Sequence, residues 1–154
     1  MRIIRDTRER RGWDFAFNNI EIVSRKLDCG DYTTDILENF VVIERKATST
    51  ELANNLGKRT AKARFYREFD RMKDLQKAYI VCEFPESHIY SFPKYSGMSP
   101  IQLSKVKING NYLAKLTSQI PIDYPNIEII FCENRDEAEN FTYDILKTWE
   151  EKIK

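Results

Sequence analysis

The stretch NFVVIERK, from Asn39 to Lys46, constrains the fold more than any other part of the chain. Its dense run of apolar residues suits a central strand covered on both faces. Such a strand has to stop, or find partners, at Glu44, Arg45 and Lys46, because an unpaired charge is costly to bury. Side chains two apart on a strand share a face, so Glu44 and Lys46 point one way and Arg45 the other.

The remaining pattern alternates strands with helices. RIIR (Arg2 to Arg5) and IEIVSRKL (Ile20 to Leu27) read as strands that should neighbour the central one, and AYIVCEF (Ala78 to Phe84) and IEIIFCE (Ile127 to Glu133) as two more. TSTELANNLG offers a hydroxyl cap at its start and Gly57 as a stop, and the following segment spaces Phe65, Phe69, Met72 and Gln76 as one helical face. Arg64, Arg67 and Arg71 fall on another face of that helix at the same spacing. Asn134 and Glu137 resemble a capping box, followed by the apolar stripe Ala138, Phe141, Ile145, Trp149 and Ile153. Between Pro85 and Pro125 the signal weakens; two short helices interrupted at Asn109-Gly110 fit it better than a hairpin. The expected fold is α/β: a central mixed sheet of about five or six strands flanked by helices, forming a single domain over residues 1–154.

Charge excludes a bulk nucleic-acid coat, since Lys and Arg number 25 against 24 Asp and Glu. Contact with a polyanion has to come from local clusters such as the three arginines. Cys29, Cys82 and Cys132 are widely spaced, make no Cys-x-x-Cys pair and form no zinc pattern with the single His88, so buried reduced thiols are expected. The charged N-terminal segment is unlike a signal peptide, and no apolar run reaches the roughly 18 residues of a membrane span. An intracellular protein without membrane contact is expected. His88 reads as a surface residue, Lys94, Lys105 and Lys107 as solvated side chains with a lesser claim on phosphate, and Tyr90, Phe92 and Tyr95 as loop anchors.

Asp31, just after Gly30, stands at the end of the second strand candidate, and Glu44 and Lys46 close the third. Adjacent strands would bring the three together. Paired carboxylates of this kind suit Mg²⁺ or Mn²⁺ with waters completing the shell. The lysine beside them could orient or help deprotonate a water, or neutralise charge developing on a phosphate. A solvated strand end carrying one ion pair would show the same spacing, so the pattern alone is weak. Three neighbours strengthen it: Asp6, Arg8 and Glu9 at another strand end, Gly30 where a positive φ is tolerated, and the arginine face downstream.

Together, Gly30-Asp31, Glu44-Arg45-Lys46 and Asp6-Thr7-Arg8-Glu9 resemble the nuclease domain of the XPF type (the ERCC4 domain), within the restriction-endonuclease-like PD-(D/E)xK superfamily. The resemblance implies a metal-dependent DNA endonuclease acting on branched or junction DNA. It implies that Asp31 and Glu44 bind Mg²⁺ or Mn²⁺, with Asp6 assisting directly or through water, that Lys46 positions the nucleophilic water and that Arg45 supports the site or contacts DNA. DNA contacts are expected from Arg8, Arg64, Arg67 and Arg71. One position departs from the pattern: where the family has its last acid, three residues beyond Lys46, this chain has Thr50. Glu51 follows and is the candidate substitute as a metal ligand, although one step along a helix turns a side chain by about 100°. The alternative is a catalytically silent DNA-binding or scaffolding subunit. Family members usually add helix-hairpin-helix modules or a helicase, which this sequence lacks, so targeting is expected from the domain itself, a homodimer or a heteromeric partner.

Overall fold

A computed structural model describes residues 1–154. Its strands are β1 (Arg2–Arg5), β2 (Glu21–Ser24), β3 (Tyr32–Thr34), β4 (Val41–Lys46), β5 (Lys77–Cys82) and β6 (Ile127–Phe131). Its helices are α1 (Ser49–Gly57), α2 (Arg59–Met72), α3 (Ser87–Tyr90), α4 (Pro100–Ser104), α5 (Gly110–Asp123) and α6 (Arg135–Ile153). One six-stranded sheet runs in the order β2-β1-β3-β4-β5-β6. The pairs β1–β3 and β3–β4 are antiparallel, whereas β4–β5, β5–β6 and β1–β2 are parallel. The mixed α/β sheet matches the expected class.

All six residues of β4 are buried, charges included. Val42 belongs to an apolar cluster with Leu52, Leu56, Phe65 and Phe69 from α1 and α2. Val41 and Ile43 join the opposite cluster with Trp13, Tyr32 and Leu146. The strand is therefore two-sided, as its dense apolar run requires. Phe69, fully buried and in contact with the rings of Phe65, Tyr66 and Tyr124, anchors α2 to the sheet. Truncating it to alanine would cost about 3–5 kcal/mol.

The helix ends follow their capping residues. Thr48 accepts a hydrogen bond from Glu51 N at 3.1 Å, Asn109 from Tyr112 N at 2.9 Å, and Asn134 from Glu137 N at 2.9 Å. Asn109-Gly110 thus begins α5 and makes no hairpin. Gly110 is needed there because a Cβ would lie 1.8 Å from the carbonyl oxygen of Tyr90.

Three expectations are corrected. Strand β3 sits between β1 and β4, so the first and central strands share a sheet without being neighbours. A segment of only three residues offers too short an alternation to be read in sequence, yet Tyr32, Thr33 and Thr34 are all fully buried. Helix α2 stops at Met72, leaving Gln76 exposed in the following turn. On α6 the buried line is Ala138, Glu139, Thr142, Leu146 and Glu150, while Phe141 and Ile153 of the apolar stripe are exposed. The rotation has a polar cause: Glu139 accepts a hydrogen bond from Phe15 N at 2.6 Å, which ties the helix to the N-terminal loop. Apolar periodicity cannot register such a contact.

The cysteines are free and buried, as expected. No helix is long and apolar enough to cross a membrane.

Candidate active site

The charged end of β4 divides as strand alternation demands. Arg45 turns into the face carrying Trp13 and Tyr32; Glu44 and Lys46 turn towards α1 and α2.

On the Arg45 side every charge is answered. The guanidinium donates to both oxygens of Glu9, at 3.1 and 2.9 Å, and to Glu83 at 3.3 Å, and lies 5.9 Å from the Trp13 ring centre. Glu83 also accepts from the Trp13 indole N–H at 2.7 Å and from Arg135 at 3.4 Å. Burial would discourage the cation, but Glu9 and Glu83 override it and hold Arg45 more firmly protonated than usual. At 9% exposure Arg45 is withdrawn from the protein surface.

The other side is a cavity of about 270 Å³ lined by Asp6, Arg8, Gly30, Asp31, Glu44, Lys46, Asn55, Ala61, Arg64, Phe65 and Glu68. The backbone fixes Asp31 in place: its N–H donates to Ile43 O at 2.7 Å and its carbonyl accepts from Asp6 N at 2.8 Å. Its carboxylate accepts from Arg45 N at 2.7 Å. Gly30 makes this approach sterically feasible. Its φ is +74°, and an added Cβ would lie 2.9 Å from Val42 Cβ. Asp31, Glu44 and Lys46 therefore line one cavity, although Asp31 is brought there just before β3 and not by the second strand candidate, which forms the edge strand β2.

Their electrostatics are unbalanced. Burial, with Glu44 and Glu9 nearby, pushes the Asp31 carboxyl well above the usual carboxylate range. Burial also raises Glu44, although Lys46 Nζ donates to it at 2.8 Å. Lys46 loses hydration, but Glu44 and Glu51 more than compensate and raise its affinity for the proton. Its ammonium stays charged, 4.8 Å from the Phe65 ring centre and 3.5 Å from a Glu51 oxygen. Of the roles open to Lys46, orienting a water and offsetting negative charge fit this state; taking a proton from water does not.

The other expected residues divide among several places. Asp6 is buried and both oxygens are engaged: they accept from Arg8 N and Nε at 2.8 and 2.7 Å, a second Arg8 nitrogen at 3.1 Å and Leu27 N at 2.7 Å. Burial opposes its ionisation, yet these bonds hold Asp6 below its ordinary range. Arg8 is committed to that carboxylate and to Leu27 O, although it still borders the cavity. Arg64 lines the cavity without an ion pair. Arg67 is exposed, and Arg71 pairs with Glu68.

Thr50 points away from the acids. Its hydroxyl donates to Ser96 O at 3.1 Å and its side chain faces a second groove. Glu51 lies closer to the charges, where it accepts from Ala47 N at 3.0 Å while keeping an oxygen near Lys46.

Two polar cavity residues escaped the sequence reading. Glu68 accepts from Gly30 N at 2.6 Å and so ties α2 to the loop carrying Asp31. It follows Arg64 by four residues, and the same helical spacing would have revealed it. Asn55 presents a buried Oδ1 that has no hydrogen-bond donor. Its place among the acids depends on the turn between β4 and α1, which the sequence pattern did not resolve.

No group of three or more His, Cys, Asp or Glu side chains is assembled to enclose an ion. The donor set nevertheless fits Mg²⁺ or Mn²⁺. These hard cations keep several waters and need only one or two carboxylates, and the cavity supplies Asp31, Glu44 and the unengaged oxygen of Asn55.

Comparisons with known proteins bear on the fold and the family. XPF from Aeropyrum pernix shares the fold with a TM-score of 0.69 at 17% identity, over 96% of this chain and 64% of that one. XPF from Aeropyrum pernix in complex with DNA gives 0.68 at 16%, over 97% of this chain and 65% of that one. The chain thus spans less than two thirds of either. No curated protein sequence matches it. The ERCC4 domain family model matches residues 5–145, a span that runs from the end of β1 into α6 and includes every cavity residue. The chain therefore belongs to the ERCC4 domain family.

Proposed function

We propose that this domain is a metal-dependent DNA endonuclease that hydrolyses phosphodiester bonds and selects branched or junction DNA. The observation that carries the reading is the imbalance beside Lys46: buried Glu44 and half-buried Asp31 face one open cavity with their proton affinities raised. Such a pair is stabilised by a divalent cation more readily than by one lysine.

Asp31 and Glu44 would hold Mg²⁺ or Mn²⁺, with Asn55 offering a neutral oxygen. When bound, such an ion supplies Lewis-acid polarisation of the phosphate and lowers the pKa of a water. Lys46, fixed by Glu44 and Glu51, orients the attacking water and offsets charge gathering on the phosphate. Arg64 at the rim engages a neighbouring phosphate, with Arg67 further along α2. Asp6 braces the loops through Arg8 and Leu27, and Arg45 anchors the strand end.

A second reading, a catalytically silent DNA-binding or scaffolding subunit, is favoured by one observation: Thr50 stands where the family has an acid and is turned to Ser96. Incubation with flap, fork, duplex and single-stranded oligonucleotides, in Mg²⁺, Mn²⁺ or EDTA, separates the two. Cation-dependent cutting that disappears in Asp31→Asn and Glu44→Gln is expected. Binding without cutting by the wild type would leave the scaffold.

A further inference from the structure

The second groove, on the far side of α1 from the acids, has a volume of about 450 Å³, within the range of small-ligand sites. Its floor is apolar, built from Ala53, Phe92, Met98, Val106 and Ile108. Three lysines line it, Lys58, Lys105 and Lys107, and no Asp or Glu does. None of the three has a carboxylate within 4.0 Å, whereas the chain as a whole carries 24 acids against 25 Lys and Arg. Positive charge has been gathered here without compensation.

An anion is the charge complement of these lysines, and the apolar floor requires that the same ligand carry a flat or greasy part. A nucleotide whose base is unpaired meets both needs: its base enters the floor while its phosphates meet the ammonium groups. A duplex does not fit, since its bases are already stacked and its backbone is too broad for a groove of this volume. Polar groups for a base edge are present in Asn54, exposed on α1, and in Gln102, whose Oε1 already accepts from Ser99 N at 2.9 Å and whose amide N–H groups are left to donate.

The groove is also continuous with the acids through one element. Helix α1 presents Thr50, Ala53 and Asn54 to the groove and Asn55 to the acidic cavity. We infer that the groove between α1 and the 92–108 segment holds an unpaired nucleotide of single-stranded DNA, its base on Met98, Val106 and Ile108 above the nearly buried Phe92 and its phosphates on Lys58, Lys105 and Lys107. This deepens the endonuclease reading and rests on it for the identity of the polymer: the groove would receive the unpaired arm of a junction whose neighbouring phosphate lies at the acids. Thr50 then has a use, because it lines the groove and its hydroxyl ties α1 to Ser96 O of the 92–108 segment.

The test is fluorescence anisotropy of the wild-type chain in EDTA with a short labelled oligothymidine and, separately, a blunt duplex of equal length. Asn54→Trp fills the groove from an exposed helix position; its unfolding temperature, measured alongside, is expected to match the wild type. Its affinity for the single strand should fall about tenfold, the scale of one lost base stack, while duplex binding is unchanged. The double variant Lys105→Ala/Lys107→Ala should lower the slope of log affinity against log salt for the single strand by about 1.4. Equal losses on both DNA forms, or wild-type single-strand affinity in a folded Asn54→Trp, overturn the inference. The two readings also fail separately. A wild type that cuts DNA but has no affinity for oligothymidine sinks the groove alone. A wild type that binds the strand through the groove yet cuts nothing sinks the endonuclease reading alone.

Discussion

Two charge clusters lie back to back across one strand end, and they are built on opposite principles. Beneath β4, Arg45 is surrounded by Glu9, Glu83 and Trp13, with Arg135 balancing the second carboxylate. Above it, Lys46 faces Glu44, Asp31 and Glu51 and cannot neutralise all three. The lower cluster is closed and needs nothing from outside. The upper one retains negative charge in a partly dry cavity, an arrangement that folding alone would not favour. Burial of charge is common to both; only the upper cluster lacks the partners to balance it, and that deficit is the reason we propose the chemistry there.

The heaviest loss is expected on the closed side. Arg45→Ala strands Glu9, leaves Glu83 to Trp13 and Arg135, and is expected to cost about 3–5 kcal/mol of stability, read from denaturant unfolding. A loss below about 1 kcal/mol would mean that the lower cluster resembles an ordinary surface ion pair. Lys46→Ala acts on the open side and should lower single-turnover cleavage about 10²–10³-fold with the far-UV spectrum retained; a variant cleaving at the wild-type rate would remove Lys46 from the reaction.

Asp31→Asn sharpens the contrast through pH. Burial raises the proton affinity of Asp31 in the folded chain, so the native state binds this proton more tightly than the unfolded one. Without metal, its effect on stability is therefore least harmful below the ordinary carboxylate pKa. The penalty appears as pH rises above that value and is complete once the raised native value is passed. Asp31→Asn should be more stable than wild type at neutral pH in EDTA, and the gap should close as the solution is acidified. Added Mn²⁺ should stabilise the wild type and leave the variant unmoved. A wild-type and variant pair with parallel pH curves would place Asp31 in the closed class. Smallest is Arg64→Ala, which should reduce the salt dependence of duplex binding by about 0.9 in slope; an unchanged slope would mean that this arginine touches solvent alone.

Much of this contrast was legible in the sequence, because it follows from one rule. Alternation along VVIERK separated Arg45 from Glu44 and Lys46 before any fold was known, and Gly30 beside Asp31 pointed to the positive φ that the loop adopts. What stayed hidden depends on distance along the chain. Trp13 meets Glu83 70 residues away, and Glu139 reaches Phe15 across 124. Neither pairing leaves a periodic trace. Strand β3 was hidden for a different reason, since three residues between two turns carry too little pattern to be distinguished from loop. Glu68 was readable and overlooked: the spacing that singled out Arg64, Arg67 and Arg71 also puts Glu68 among them.

Strand β4 is the seam of the sheet, paired antiparallel to β3 on one edge and parallel to β5 on the other. Asp31 arrives with the antiparallel half and Glu44 stands on the seam, while Glu68 reaches Gly30 from the helices of the parallel half. Pairing of β3 with β4 already sets Asp31 beside Glu44, and Glu68 joins them only when α2 packs against the loop at Gly30. The cavity is therefore complete only when both halves of the sheet and α2 are in place.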